Sequence, residues 1–140
     1  MSKRQGGCLC GAVRFEADEV DTQSAGACHC KMCQRWSGGI FISATVGKVG
    51  FDGEDALTRC QTSAWAERGF CSKCGSHLFY KVLDADSYEF CIGAFDSVED
   101  FVLTTEIFMD RKPEGYALAG DHPRLTEQEA FEKYKFGVST

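Results

Sequence analysis

Nine cysteines are present in this sequence, and seven of them fall into three close groups. The groups are Cys8-Leu9-Cys10-Gly11, Cys28-His29-Cys30-Lys31-Met32-Cys33 and Cys71-Ser72-Lys73-Cys74-Gly75. Thiolates at such short spacing are typical ligands of zinc. A disulfide framework is the less favoured interpretation, because the number of cysteines is odd and disulfides are rare in the cytosol.

The third group has the form of half a tetrahedral metal site. Two residues separate Cys71 from Cys74, so both sulfurs can reach one ion, and Gly75 permits a tight turn behind them. Cys8 and Cys10 are the best candidates for the other half, because residues i and i+2 of an extended segment point to the same face. These four thiolates predict a closed, structural zinc site. The alternative is a redox dithiol, which needs a helix at the motif, whereas the residues after Gly75 predict a turn and then a strand.

The middle group supplies three thiolates, Cys28, Cys30 and Cys33, with no fourth cysteine close by in the sequence. Three protein ligands and one open position are the arrangement of a catalytic zinc. The alternative is a second structural site that one of three further ligands closes: His29, His77 or Cys60. If the segment is extended, the side chain between Cys28 and Cys30 faces away from the sulfurs.

Three cations near the cysteine groups are candidates for substrate binding: Lys31, Arg35 and Arg68. They could offset the negative charge of a three-thiolate site and anchor carboxylates of a substrate. The alternative is that they are ordinary solvated surface residues. Cys60 and Cys91 lie in strand-like segments and are predicted to be small buried hydrophobic residues. His122 is predicted to be a loop residue.

The elements that position these residues are predicted to be mainly strands. Residues 11–17 alternate, with Val13, Phe15 and Ala17 on one face and charged residues on the other. Further strands are predicted at 39–46, 57–62, 64–70, 78–83, 88–94 and 106–109. Helical signals are few: a short capped turn near 97–100, and a capping box at 126–129 followed by an apolar stripe. We expect a single domain over 1–140, mainly β, with antiparallel sheets and short helical segments.

The composition limits the classes of partner. The formal net charge is −6, and an acidic chain repels nucleic acid and anionic membrane surfaces, so neither is expected as a partner. No apolar run is long enough to span a bilayer, and none follows the N-terminal charges as in a targeting segment. The expected location is therefore the cytoplasm.

Taken in order, these motifs resemble the family of glutathione-dependent formaldehyde-activating enzymes, to which centromere protein V is related. The resemblance is carried by residues 7–15, 28–39, 68–75, 93–96 and 106–113, and Arg68-Gly69-Phe70-Cys71 to Gly75 is its most specific part. It implies a β-tent-like fold built around the four-cysteine zinc. It also implies that Cys28, Cys30 and Cys33 hold a second, catalytic zinc, which could be lost during purification.

The function that the resemblance implies is that of a zinc-dependent carbon–sulfur lyase. Its substrate is a thiol–aldehyde adduct such as S-hydroxymethylglutathione, formed from glutathione and formaldehyde. The chain is shorter than the glutathione enzymes, so a different small thiol is an alternative. The second hypothesis is a non-enzymatic zinc-binding module that serves as a binding scaffold. Nucleic-acid binding, by analogy with the centromere protein, is disfavoured by the acidic charge.

Overall fold

The computed structural model describes residues 2–134, and within this range it confirms a mainly β fold, with 42% strand and 16% helix. The strands are β1 (Ser2–Gly7), β2 (Arg14–Val20), β3 (Ala25–Cys28), β4 (Phe41–Val46), β5 (Val49–Asp52), β6 (Leu57–Gln61), β7 (Ala66–Cys71), β8 (His77–Val82), β9 (Tyr88–Cys91), β10 (Leu103–Ile107) and β11 (Arg124–Leu125). The helices are α1 (Lys31–Ser37) and α2 (Glu127–Tyr134), and 3-10 turns cover Ile92–Ala94 and Met109–Arg111.

The strands form two sheets. A small sheet has the order β1-β2-β5, and a large sheet has the order β11-β10-β3-β4-β9-β8-β7-β6. Pairing is antiparallel except at β10, which runs parallel to β3 and to β11. Strand β10 therefore lies beside β3, although more than 70 residues separate them in sequence, as its pair Ile107 and Cys28 shows.

The core lies between the two sheets. The alternation predicted for the segment that becomes β2 is confirmed: Phe15 and Ala17 are buried, whereas Glu16 is exposed. The ring of Phe15, in the small sheet, lies 4.4 Å, centroid to centroid, from the ring of Phe90 in the large sheet. The ring of Phe79, also in the large sheet, lies 5.4 Å from the ring of Phe90. Burial of these aromatic side chains joins the small sheet to the large one.

The predicted strands are present, with shifted ends. Residues 11–13 belong to a turn rather than to β2, and the strand predicted at 88–94 ends at Cys91 and continues as a 3-10 turn. The capping box of α2 is confirmed, because Thr126 and Glu129 exchange side-chain-to-backbone hydrogen bonds. Helix α1 was not predicted. No helix among residues 2–134 is both long enough and apolar enough to span a membrane.

Candidate metal centres

The first cluster brings together Cys8, Cys10, Cys71 and Cys74, whose four sulfurs all lie within 4.8 Å of one another. The sulfurs of Cys8 and Cys10 are 3.6 Å apart, and those of Cys10 and Cys71 are 3.8 Å apart. A tetrahedral ion with metal–sulfur bonds of about 2.3 Å separates its sulfurs by about 3.8 Å. The four cysteines therefore fit a tetrahedral metal ion.

Two similar turns form this cluster. Gly11 donates its N–H to the carbonyl of Cys8 (3.2 Å), and Gly75 donates to the carbonyl of Cys71 (2.7 Å). Both glycines have positive φ, 83° and 79°, which an L side chain adopts only with strain. The segment at Cys8 is thus a turn and not the extended segment we expected. Ser76 joins the two turns, because its hydroxyl accepts a hydrogen bond from the Leu9 N–H (3.0 Å).

The second cluster brings together the sulfurs of Cys28, Cys30 and Cys33, again within 4.8 Å of one another. Cys28 ends β3, and Cys30 is the N-cap of α1, where its sulfur accepts a hydrogen bond from the Cys33 N–H (3.2 Å). Cys30 and Cys33 therefore lie at the start of a helix, so residues 28–33 are not extended throughout. Among residues 2–134, no further histidine, cysteine or carboxylate joins this group.

The three sulfurs influence one another's protonation. Hydrogen bonds with Cys28 and Cys33 lower the pKa of Cys30 to about 2, and the nearby Arg68 charge acts in the same direction. Hydrogen bonds with Cys30 and Cys33 raise the pKa of Cys28. The opposite shifts arise because the three sulfurs lie close enough to share hydrogen bonds.

His29 points away from the sulfurs, as predicted, into a buried network that sequence reasoning missed. Its Nε2 lies 2.7 Å from one carboxylate oxygen of the fully buried Glu106, on the neighbouring strand β10. The other oxygen lies 2.6 Å from Nε2 of His122 and 3.0 Å from Nε of Arg124. His122 lies in a loop, as predicted, but its side chain is only 6% exposed. Glu106 holds the loop between Cys28 and Cys30 against β10 and β11.

Arg68, on β7, lies beside the second cluster and is only 2% exposed. Its Nη2 donates to the sulfur of Cys33 at 3.5 Å. The solvated-surface interpretation is therefore wrong for Arg68. By contrast, Lys31 and Arg35 are exposed on α1, the helix that carries Cys33.

The remaining predicted positions differ in their surroundings. His77, on β8, packs its ring on Trp36 at 5.1 Å between centroids, and burial lowers its pKa. Cys91 is partly exposed at the end of β9, and burial of its thiol raises the pKa to about 12. Cys60 is exposed on β6, so its predicted burial is wrong. Strand β6 is one of the two outer strands of the large sheet, and within residues 2–134 it pairs only with β7.

Fold and clusters together define a mainly β protein with two cysteine groups that could each hold a metal ion. A family model described as glutathione-dependent formaldehyde-activating enzyme matches residues 3–111. The chain belongs to this family, which confirms the resemblance noted in the sequence. The matched range includes all seven clustered cysteines, Arg68 and Glu106, but ends before His122 and Arg124.

Individual relatives agree with this assignment. An uncharacterized lyase of Schizosaccharomyces pombe is 25% identical over 131 residues, which cover 92% of this chain and 95% of the yeast protein. A Halomonas elongata protein, whose name assigns it to the glutathione-dependent formaldehyde-activating enzymes, is 30% identical over 84 residues, 54% of each chain. A crystal structure of a Rhodobacter sphaeroides protein matches with a TM-score of 0.57 and 23% identity, covering 86% of this chain and 98% of that one. That likeness shows the fold.

Proposed function

We propose that this protein is a zinc-dependent carbon–sulfur lyase that acts on the adduct of a small thiol with formaldehyde. The observation that carries the proposal is the second cluster: three sulfurs converge, and no fourth protein ligand among residues 2–134 joins them. A metal ion held there would keep one position for a substrate atom. The family and the lyase name of the yeast relative support the same class of reaction.

The donor set favours zinc in both clusters. Thiolates are soft ligands, and sets of three or four of them are typical of zinc in proteins. We therefore propose two zinc ions per chain, one structural at Cys8, Cys10, Cys71 and Cys74, and one catalytic at Cys28, Cys30 and Cys33. We propose the cytoplasm as the compartment, because its reducing conditions keep such thiolates free of disulfides.

The reaction joins or separates sulfur and carbon. A zinc ion in the second cluster would supply Lewis acidity, which favours the thiolate form of a substrate thiol at neutral pH. In the forward direction the thiol gives up its proton, its sulfur bonds to the carbonyl carbon, and the carbonyl π pair moves to oxygen, which takes up a proton. Cys28, Cys30 and Cys33 would hold the zinc ion, and Arg68, flanked by the rings of Trp36 and Phe41, lies beside this cluster.

Lys31 and Arg35 are proposed to contact the carboxylates of the thiol substrate. Both are exposed on α1, the helix that carries Cys33, and their long side chains are the cations that this helix offers to a substrate carboxylate. Glutathione is the first thiol to test, because it carries two carboxylates that such cations can pair with.

Exchange of formaldehyde with glutathione, followed near equilibrium by NMR exchange spectroscopy, tests the proposal. The zinc-loaded protein is expected to accelerate the exchange, and Cys30→Ser is expected to abolish the acceleration while the circular dichroism spectrum and one zinc per chain are retained. Cys60→Ser is the matched control, because Cys60 is exposed and outside both clusters. If the protein with two zinc ions accelerates exchange for none of a panel of cellular thiols, the scaffold hypothesis replaces the lyase.

A further inference from the structure

Arg68 is a buried cation with an unusual partner. In the part of the chain that the structure describes, no carboxylate lies within ion-pair distance of its guanidinium, and its Nη1 is buried without a hydrogen-bond partner. Its one hydrogen bond goes from Nη2 to the sulfur of Cys33 at 3.5 Å. A buried charge costs several kcal/mol unless an anion compensates it. The sulfur of Cys33 is the group positioned to do so.

Aromatic rings enclose this guanidinium. Its Cζ lies 5.7 Å from the ring centroid of Trp36, 5.6 Å from that of Phe41 and 4.9 Å from that of Tyr80. Ring faces attract a cation but only partly replace an anion. They also exclude water, so that the positive charge is poorly screened from the neighbouring sulfur.

A second arginine also lies against aromatic rings and has a carboxylate partner. Arg59, on β6, lies over the rings of Phe51 and Phe79 at 5.5 and 5.0 Å. Its guanidinium donates to a carboxylate oxygen of Glu67 at 2.7 Å. Arg68 is far more buried than Arg59, and the acceptor of its guanidinium is the sulfur of Cys33 instead of a carboxylate. A cysteine binds a metal ion as its thiolate, so Cys33 would present an anionic sulfur to Arg68 in the metal-loaded site.

The charge at the second cluster explains why such a pair is useful. Three thiolates and a divalent ion have a formal net charge of −1, and a fourth thiolate makes the site more negative still. We propose that Arg68 is the counter-charge of this site and makes it select an anionic fourth ligand, such as a substrate thiolate, over a neutral one. Arg68 touches Cys33 rather than substrate, so it is a positioning residue. The inference rests on the proposed function, because it names the form in which the substrate sulfur binds.

Ligand binding to the cobalt-substituted full chain tests this proposal. The probes are azide as a simple anion, 2-mercaptoethanol as a thiol and imidazole as a neutral ligand, each followed by the cobalt absorption bands. In Arg68→Met the affinities for azide and 2-mercaptoethanol are expected to fall by about tenfold or more, because the buried positive charge beside the second cluster is lost. The affinity for imidazole is expected to stay within about twofold, because a neutral ligand gains little from a nearby charge.

Arg59→Met is the matched control, because the Arg59 side chain contacts Glu67 and aromatic rings and not the sulfurs of the second cluster, so all three affinities are expected to stay unchanged. Equal loss of all three ligands in Arg68→Met, or no loss, overturns the proposal. If Arg68→Met does not fold, Arg68→Lys is tested instead, because lysine keeps the positive charge. A folded Arg68→Lys variant that no longer prefers azide to imidazole overturns the proposal. The two proposals can fail separately. If azide affinity depends on Arg68 but the protein accelerates no thiol–aldehyde exchange, the counter-charge role is supported and the lyase proposal fails.

Discussion

At the scale of single residues, Glu106 connects the second cluster to the rest of the fold. Burial by itself raises the pKa of this carboxyl group, but hydrogen bonds from His122 and His29 outweigh burial and bring the pKa below its ordinary value. A carboxylate with three nitrogen partners is satisfied in the interior, whereas the same group without them is expensive to bury.

Glu106→Gln is expected to lower the free energy of unfolding by about 2 kcal/mol at neutral pH, because the buried nitrogens lose their anionic partner. Urea denaturation measures the difference. The folded-state pKa is lowered, so the stabilisation is present above the ordinary pKa of Glu and is lost as the pH falls through the folded-state value. The two proteins are therefore expected to converge in acid. Exposed Glu99→Gln is the control, and an equal loss there would contradict the role of Glu106.

At the scale of elements, α1 decides the geometry of the second cluster. The helix begins at Cys30, contains Cys33 in its first turn and ends at Gly38, whose φ is 80° and whose N–H donates to the Gln34 carbonyl. Gln34 also donates through its side chain to the carbonyl of His29 at 2.7 Å. A helix of seven residues depends on such caps, because isolated short helices are marginal in water.

Gly38→Ala is expected to destabilise the protein by about 1 kcal/mol, because an L side chain is strained at this positive φ. No atom lies within 4 Å of the added Cβ, so the strain comes from the backbone alone. Gly39→Ala is the matched control: its Cβ also meets no atom within 4 Å, and its φ is not positive. Thermal denaturation and zinc affinity of the second cluster measure both variants. Equal effects of the two substitutions would show that the cap does not matter.

At the scale of the whole molecule, the two clusters differ in what they connect. The first joins the end of β1, in the small sheet, to the end of β7, in the large sheet. A metal ion there would hold the two sheets together, and its binding free energy would add to the stability of the fold. The second lies within one continuous segment, so its loss is expected to leave the packing of the sheets intact.

Mild chelation is expected to remove one zinc ion while the far-ultraviolet circular dichroism spectrum is unchanged, because three ligands bind an ion less tightly than four. A stronger chelator is expected to remove the second ion and to unfold the chain. Zinc released to a colorimetric indicator, recorded with the spectrum, measures both steps. Release of both ions in one step together with unfolding would contradict the distinction between the clusters.

The sequence by itself determined the features that depend on local spacing. Cysteine spacing predicted two metal sites with the same seven residues that the structure groups, and the alternation at β2 and the capping box of α2 predicted local structure correctly. The residues within each such motif lie only a few positions apart, whereas the pairing of Cys8 and Cys10 with Cys71 and Cys74 followed from the need for four ligands.

Only the tertiary structure decided which polar residues are buried, because burial depends on contacts between distant segments. Arg68 is buried because α1, β4 and β8 supply the rings around it, and Glu106 meets His29 because β10 lies parallel to β3. Cys60 is exposed on β6, an outer strand of the large sheet, and its strand-like segment does not reveal that position in the strand order. Spacing therefore predicts the ligands, whereas strand order decides the charges and hydrogen bonds around them.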